Sequence, residues 1–254
     1  MNFFKKWKKL QILLLFALFI LPANVFAYSK YIIPGGETIG IEVNSNGVYV
    51  VGFYDVNGEN IGKDAGFKVG DKIIAINNEK ITSISSMIDK INQEAGSTTL
   101  EVTVEREDKT SDLALKMKCD SENVCKTGLY VKDEITGIGT LTYIDPNTKI
   151  FGALGHEIME KTTGEKFEIK DGKIFKADVT NTTRSSNGSP GEKNATYDKN
   201  VVFGKITANE EVGIFGKYQD TFASTNTLEV AEEKEVTTGE ATIRTVLKDN
   251  EVKE

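Results

Sequence analysis

Short apolar runs alternate with polar clusters along most of the chain. Between residues 31 and 117 the runs are separated by glycine, asparagine and aspartate, the pattern of strands joined by turns. Residues 98–106 alternate, with apolar Leu100, Val102 and Val104 at every second position, which predicts a half-buried strand. The same criteria predict three further strands, over 39–43, 48–53 and 72–76. The first two are predicted to form a hairpin through 44–47, because an Asn-Gly pair tolerates the positive φ that a tight turn needs.

One segment has the periodicity of a helix. Four apolar residues between 83 and 95 recur three or four positions apart, which predicts an amphipathic helix over this range. Thr82 or Ser83 can cap its start, and Gly96 can end it in a left-handed conformation.

The region from residue 119 to the end is again rich in strand-forming residues and glycine. A polar loop is expected over 181–194. The predicted strands cover 128–131, 139–144, 201–206 and 241–247. We therefore expect a mostly β protein with one helix, built from a first unit over 31–117 and a second over 119–254.

The N-terminal 27 residues have a different character. Four lysines among residues 5–9 precede an apolar run over 12–23, and Ala27 offers a small residue at a cleavage position. This is the pattern of a leader that directs export across the cytoplasmic membrane, and a buried core helix does not explain it. Whether the leader is cleaved or stays as a membrane anchor is left open.

Composition excludes some classes of function. The formal net charge is -7 and the lysines are spread among acidic residues, which argues against a nucleic-acid partner. The sequence has one histidine and two cysteines, so neither a zinc site nor another cofactor is predicted. Outside the cytoplasm Cys119 and Cys125 could form a disulfide or remain two free thiols, and the sequence leaves both open.

The first unit resembles a PDZ domain. Residues 65–77, AGFKVGDKIIAIN, are similar to the AGLxxGDxIxxIN stretch of bacterial PDZ domains. The resemblance implies a carboxylate-binding glycine loop and an adjacent strand edge that accepts a peptide as a further strand, with the predicted helix as the other wall. The predicted peptide-binding residues are Gly35, Gly36, Thr38, Ile39, Gly40 and Ile41. The alternative is a PDZ fold that serves as a rigid spacer without a ligand.

His156 is the candidate for chemistry in the second unit. It is the only histidine, and it follows the glycine-containing segment FGALG. Histidine is the side chain best suited to move protons near neutral pH. From these residues alone, a histidine with a purely structural role is the more common outcome.

The order of motifs resembles the SpoIVB family of sporulation peptidases. A leader and a PDZ-like unit precede GIGTLTY at 137–143 and FGALGHEI at 151–158, and the similarity extends over nearly the whole chain. It implies a serine endopeptidase whose trypsin-like β-barrel domain is expected to be incomplete over 119–254, and in which His156 belongs to a Ser/His/Asp arrangement. It also implies secretion into the space between forespore and mother cell. There, a membrane regulator would be cleaved and processing of a sigma-factor precursor switched on.

The chain departs from that family in one respect. The family's nucleophile lies in a Gly-Ser-Gly-Ser-Pro-like segment downstream, and neither it nor the acidic partner is found here. Ser189 lies in a similar NGSPG segment, but it matches an earlier part of the family pattern and is interpreted as a loop serine. The expectation is an N-terminal part of the peptidase that is inactive alone. The alternative is an exported or tethered PDZ protein without catalysis.

Overall fold

The computed structural model describes residues 29–122, 124–222, 226–247 and 251–254, and these residues are mostly β, as predicted. The predicted leader, residues 1–27, lies outside the described residues. In the part of the chain that the structure describes, we find no helix with the length and apolar character needed to span a membrane.

The strands are numbered in chain order. The first eight are β1 (Tyr31–Pro34), β2 (Thr38–Phe53), β3 (Lys72–Ile76), β4 (Glu79–Lys80), β5 (Thr99–Arg106), β6 (Lys109–Lys116), β7 (Lys118–Cys119) and β8 (Cys125–Lys126). The next ten are β9 (Leu129–Ile144), β10 (Ile150–Ala153), β11 (Met159–Glu160), β12 (Glu165–Lys166), β13 (Asp171–Thr183), β14 (Glu192–Glu210), β15 (Gly213–Tyr218), β16 (Leu228–Glu229), β17 (Thr245–Val246) and β18 (Val252–Lys253). The helices are α1 (Ile61–Asp64), α2 (Ile84–Gln93) and a 3₁₀ turn (Glu233–Glu235).

Six strands close into a barrel. Going round it, the neighbours are β2, β9, β10, β15, β14 and β13, and β13 pairs back onto β2. All six pairings are antiparallel. Side chains from these strands fill the interior, among them Ile39, Phe151, Ile174 and Ile214, which are fully buried. Because the barrel is closed, each of these six strands is paired on both edges around the middle of the barrel.

The sheet continues beyond the barrel into a part that has its own core. The second half of β2 continues into β3, β5 and β6, and α2 packs its apolar side against this sheet. In β5, Leu100, Val102 and Val104 are buried, which confirms the alternation predicted for this strand.

β2 belongs to both parts of the fold. Residues 38–44 pair with β9 on one side, and residues 39–44 pair with β13 on the other, inside the barrel. Residues 48–49 pair with β3. The predicted hairpin through 44–47 is therefore wrong. The chain does not reverse there, because Asn46 does not take the positive φ that such a turn requires, and the strand continues past an irregularity in its register with β9.

The longer helix, α2, agrees with the predicted helix except at its C-terminal end. α2 is capped by the hydroxyl of Ser83, which accepts from the N–H of Ser86, while Ser86 returns a bond to the N–H of Ser83. The C-cap is Glu94, and Gly96 does not adopt the left-handed conformation predicted for it. No sequence pattern indicates the one-turn helix α1, because a single turn is too short to show a helical periodicity.

The link between the two parts of the fold is a small hairpin of β7 and β8. Cys119 and Cys125 lie opposite each other in it and form a disulfide, which is one of the two alternatives that the sequence left open.

Candidate functional site

His156 lies just after the end of β10, at the rim of the barrel. The chain leaves β10 through Leu154 and Gly155, which have φ of 74° and 84°. Two consecutive residues in the left-handed region turn the backbone sharply, and glycine makes the second of them easy. The turn brings the His156 side chain to the surface, where it is exposed.

One ring nitrogen of His156 is already engaged. Nδ1 lies 2.8 Å from the backbone carbonyl oxygen of Glu157. A carbonyl can only accept, so the neutral imidazole carries its proton on Nδ1 and donates it to this oxygen. Nε2 is then left with a free lone pair. This is the tautomer that a general base needs in order to take a proton from a serine hydroxyl.

An apolar cleft of about 360 Å³ lies beside the imidazole. Most of its walls come from β2, β9 and the segment that contains His156. Among the lining residues are Ile41, Ile135, Gly137, Leu154, His156 and Ile158. A cleft with mostly apolar walls and a few polar groups, here His156 and Glu157, is suited to a substrate side chain held next to a reacting group.

The segment after His156 is anchored by buried polar groups. Glu160 is buried, accepts from the Lys132 ammonium at 3.0 Å, and accepts from the N–H groups of Thr162 and Thr163. Burial alone would raise the pKa of Glu160, but the hydrogen bonds from Lys132 and the two amides outweigh it and lower the pKa below its ordinary value. Asn209 anchors the same segment from β14. Sequence reasoning missed these residues, because Lys132 and Asn209 are distant from His156 along the chain and no local pattern relates Glu160 to it.

Ser189 is not brought to His156. It lies exposed in the 184–191 loop between β13 and β14, and its backbone N–H and carbonyl pair with Ser186. No hydrogen bond within the described residues joins a serine hydroxyl to His156. The interpretation of Ser189 as a loop residue agrees with this position.

The predicted peptide-binding residues lie in the wall of the barrel. The N–H groups of Gly35 and Gly36 donate to the carbonyls of Thr142 and Leu141 on β9, at 2.9 and 2.8 Å. The four residues Thr38, Ile39, Gly40 and Ile41 are buried in β2. A peptide could pair with this strand only by displacing β9 or β13. The peptide-binding role of these residues stays a prediction, and it now depends on that displacement.

β9 also lies beside α2, where a peptide was predicted to bind. The carboxylate of Asp133 on β9 accepts a hydrogen bond from the N–H of Ile84, the first residue of α2, at 2.7 Å. The chain's own β9, antiparallel to β2, therefore occupies the position predicted for a ligand strand.

The AGFKVGD segment has a structural explanation. Gly66 and Gly70 both take positive φ. The Asp71 carboxylate is fully buried, accepts from the N–H of Lys68, and receives two hydrogen bonds from the Arg106 guanidinium at 2.5 and 2.7 Å. The glycines of this motif thus permit a turn, and the buried charge of its aspartate is paired with Arg106.

Comparison with known proteins agrees with this architecture. A PDZ-domain model matches residues 38–117, and a family model described as SpoIVB peptidase S55 matches residues 123–254. No curated protein gives a significant match. The two matches define a serine peptidase that contains a PDZ domain, a module that binds peptides or proteins.

The peptidase model covers more than half of the chain. The chain therefore belongs to the SpoIVB peptidase S55 family.

Proposed function

We propose that His156 is the general base of a serine endopeptidase that acts in sporulation signalling. The observation that carries this proposal is the hydrogen bond from His156 Nδ1 to the Glu157 carbonyl, which leaves Nε2 free beside an apolar cleft. Such an imidazole can accept the proton of an attacking hydroxyl and later return it to the leaving amine.

The proposed substrate and location rest on the resemblance to the SpoIVB family. We propose a membrane-associated regulator as substrate, whose cleavage leads to processing of a sigma-factor precursor. The lysine-rich head and apolar run at the N-terminus support export across the cytoplasmic membrane, with the protein tethered or secreted into the forespore intermembrane space.

We further propose that the 254-residue chain does not cleave peptide bonds alone. A general base without a nucleophile has nothing to activate, and within the described residues no serine hydroxyl is hydrogen-bonded to His156. The nucleophile would be supplied by a segment of the Gly-Ser-Gly-Ser-Pro type, joined to this chain or added as a separate polypeptide.

The test compares the purified chain with and without such a segment. The chain alone should not react with a fluorophosphonate probe, and labelling at Ser189 would overturn the interpretation of its loop. When the segment restores cleavage, His156→Ala should abolish it, since loss of the general base of a triad costs on the order of 10⁶ in kcat. Ser189→Ala is the control and should leave the restored cleavage unchanged.

A second candidate function is peptide binding without catalysis, which the PDZ match favours. The DNA downstream of codon 254 distinguishes the two. A continuation that encodes a Gly-x-Ser-Gly-Ser-Pro segment in any frame supports the peptidase, whereas an intergenic gap supports a tethered binding protein.

A further inference from the structure

One buried side chain fixes the segment that follows His156. Asn209 lies near the end of β14 and is 5% exposed. Its Oδ1 accepts from the backbone N–H of Ile158 at 2.7 Å. Its Nδ2 donates to the carbonyls of Ile158 at 3.0 Å and Phe167 at 2.9 Å. A single amide therefore binds both backbone polar groups of Ile158.

The segment before His156 is fixed as well. The N–H of Leu154 donates to the carbonyl of Thr140 on β9 at 3.1 Å, so the loop is attached to the barrel wall on that side. Only three residues, 155–157, lie between Leu154 and Ile158. His156 is the middle one, and its backbone is therefore held between two anchors on different strands of the barrel.

The anchor at Ile158 requires a side chain with an amide group. The site presents one N–H and two carbonyl oxygens, so the side chain that fills it must accept once and donate twice. Asparagine does this with one planar group. A carboxylate cannot donate to the two carbonyls. An alanine would remove the bonds to the Ile158 N–H and the Phe167 carbonyl, while the Ile158 carbonyl would keep the N–H of Phe167 as its donor.

We propose that Asn209 is a positioning residue for His156. It holds Ile158, two residues downstream, and so keeps the Glu157 carbonyl where it accepts from Nδ1 of the imidazole. Asn209 thus contributes to the choice of the tautomer that leaves Nε2 free. The inference rests on the proposed role of His156 as general base, and it adds a residue that maintains that role through Ile158, which lies 51 positions before it in the sequence.

The single histidine gives a direct measurement. In ¹⁵N-labelled full-length chain, the imidazole resonances report the tautomer of His156 without assignment ambiguity. In wild type we expect Nδ1–H to predominate. In Asn209→Asp and Asn209→Ala the Nε2–H form should increase, and the amide of Ile158 should exchange about tenfold faster, the factor that corresponds to losing about 1.4 kcal/mol of hydrogen bonding. Asp71→Asn, which alters a buried polar anchor away from His156, should lower stability and leave the imidazole signals unchanged.

The outcomes separate the possibilities. Unchanged imidazole resonances in folded Asn209 variants would overturn the proposal. If those variants do not fold, hydrogen exchange of wild type decides: protection of the Ile158 amide equal to that of the β14 ladder supports the anchor, and exchange at the rate of the exposed 184–191 loop overturns it. The spectra do not depend on cleavage, so a failure of the proposed peptidase function would show only in the His156→Ala cleavage test.

Discussion

The Asp133 carboxylate accepts a 2.7 Å hydrogen bond from the backbone N–H of Ile84, and so a barrel strand contacts the first turn of the PDZ helix. The positive end of a helix favours a carboxylate at this position, and hydrogen bonds to charged groups are the stronger class. Asp133 therefore connects the two cores of the fold through α2.

Removing this carboxylate should loosen the start of α2. Asp133→Ala is expected to lower the free energy of unfolding by about 1–2 kcal/mol and to speed hydrogen exchange of the Ile84 amide. Chemical denaturation and exchange NMR provide the two measurements. Asp89→Ala, at an exposed position on the same helix, is the control and should change neither. Equal effects of the two substitutions would mean that the Asp133 contact contributes nothing.

An isolated fragment of residues 31–117 should differ from the whole chain in the first half of β2. The fragment keeps the core that contains Val50, Ile73 and Leu100, so it should melt cooperatively. Residues 38–44 lose β9 and β13, so their amides should exchange rapidly and a peptide should be able to pair there. Binding of a peptide to the full chain as tightly as to the fragment would show that β9 does not compete for this strand.

Gly40 should not tolerate a side chain. A Cβ atom at Gly40 would lie 2.6 Å from the Tyr197 Cβ and would collide with the Tyr197 ring, which stacks on Phe175 at 5.5 Å. Gly40→Ala is expected to destabilise the fold by about 1–3 kcal/mol, and Tyr197→Ala in the same chain should recover part of that loss. Gly137→Ala is the control, since nothing lies within 4 Å of a Cβ there. Additive losses in the double variant would argue against the contact.

Glu160 should make stability depend on pH in the acid range. Its pKa is lowered in the folded protein, so its contribution is fully present above the unfolded value of about 4.3 and is lost as the pH falls through the folded pKa. Glu160→Gln should remove this part of the acid sensitivity while retaining the size of the side chain. Urea unfolding from pH 7 down to pH 2.5 measures it. Parallel curves for the two proteins would mean that Glu160 does not titrate with folding.

Sequence patterns predicted the elements whose signals are local. The alternation in 98–106 and the periodicity of 83–95 predicted a strand and a helix close to those observed. Each pattern arises because one face of the element packs against a single core. The Asn46-Gly47 pair led to the wrong prediction of a hairpin. A turn-forming pair can also lie within an extended strand when the strand pairs with its neighbours on either side of the pair.

The closure of the barrel could not be predicted from such patterns. It depends on pairings of β2 with β9 and β13, and nothing in residues 38–44 indicates that both of their edges are used. The segment around His156 was recognised from its residues, but its anchors were not. Asn209 is an ordinary polar residue in the sequence and acquires its role only when β14 lies next to the loop.

The double membership of β2 also sets an order of events as the chain is synthesised. Residues 48–116 contain the partners of their own sheet and can begin to fold as soon as they emerge. One edge of residues 38–44 can pair with β9, but the other edge stays unpaired until β13 is made. Asp171 of β13 lies 127 positions after Asn44, and closing so long a loop is slow. During that interval an apolar strand is exposed beside an already formed domain, so a nascent chain is most vulnerable to aggregation or to capture by a chaperone before the barrel is sealed.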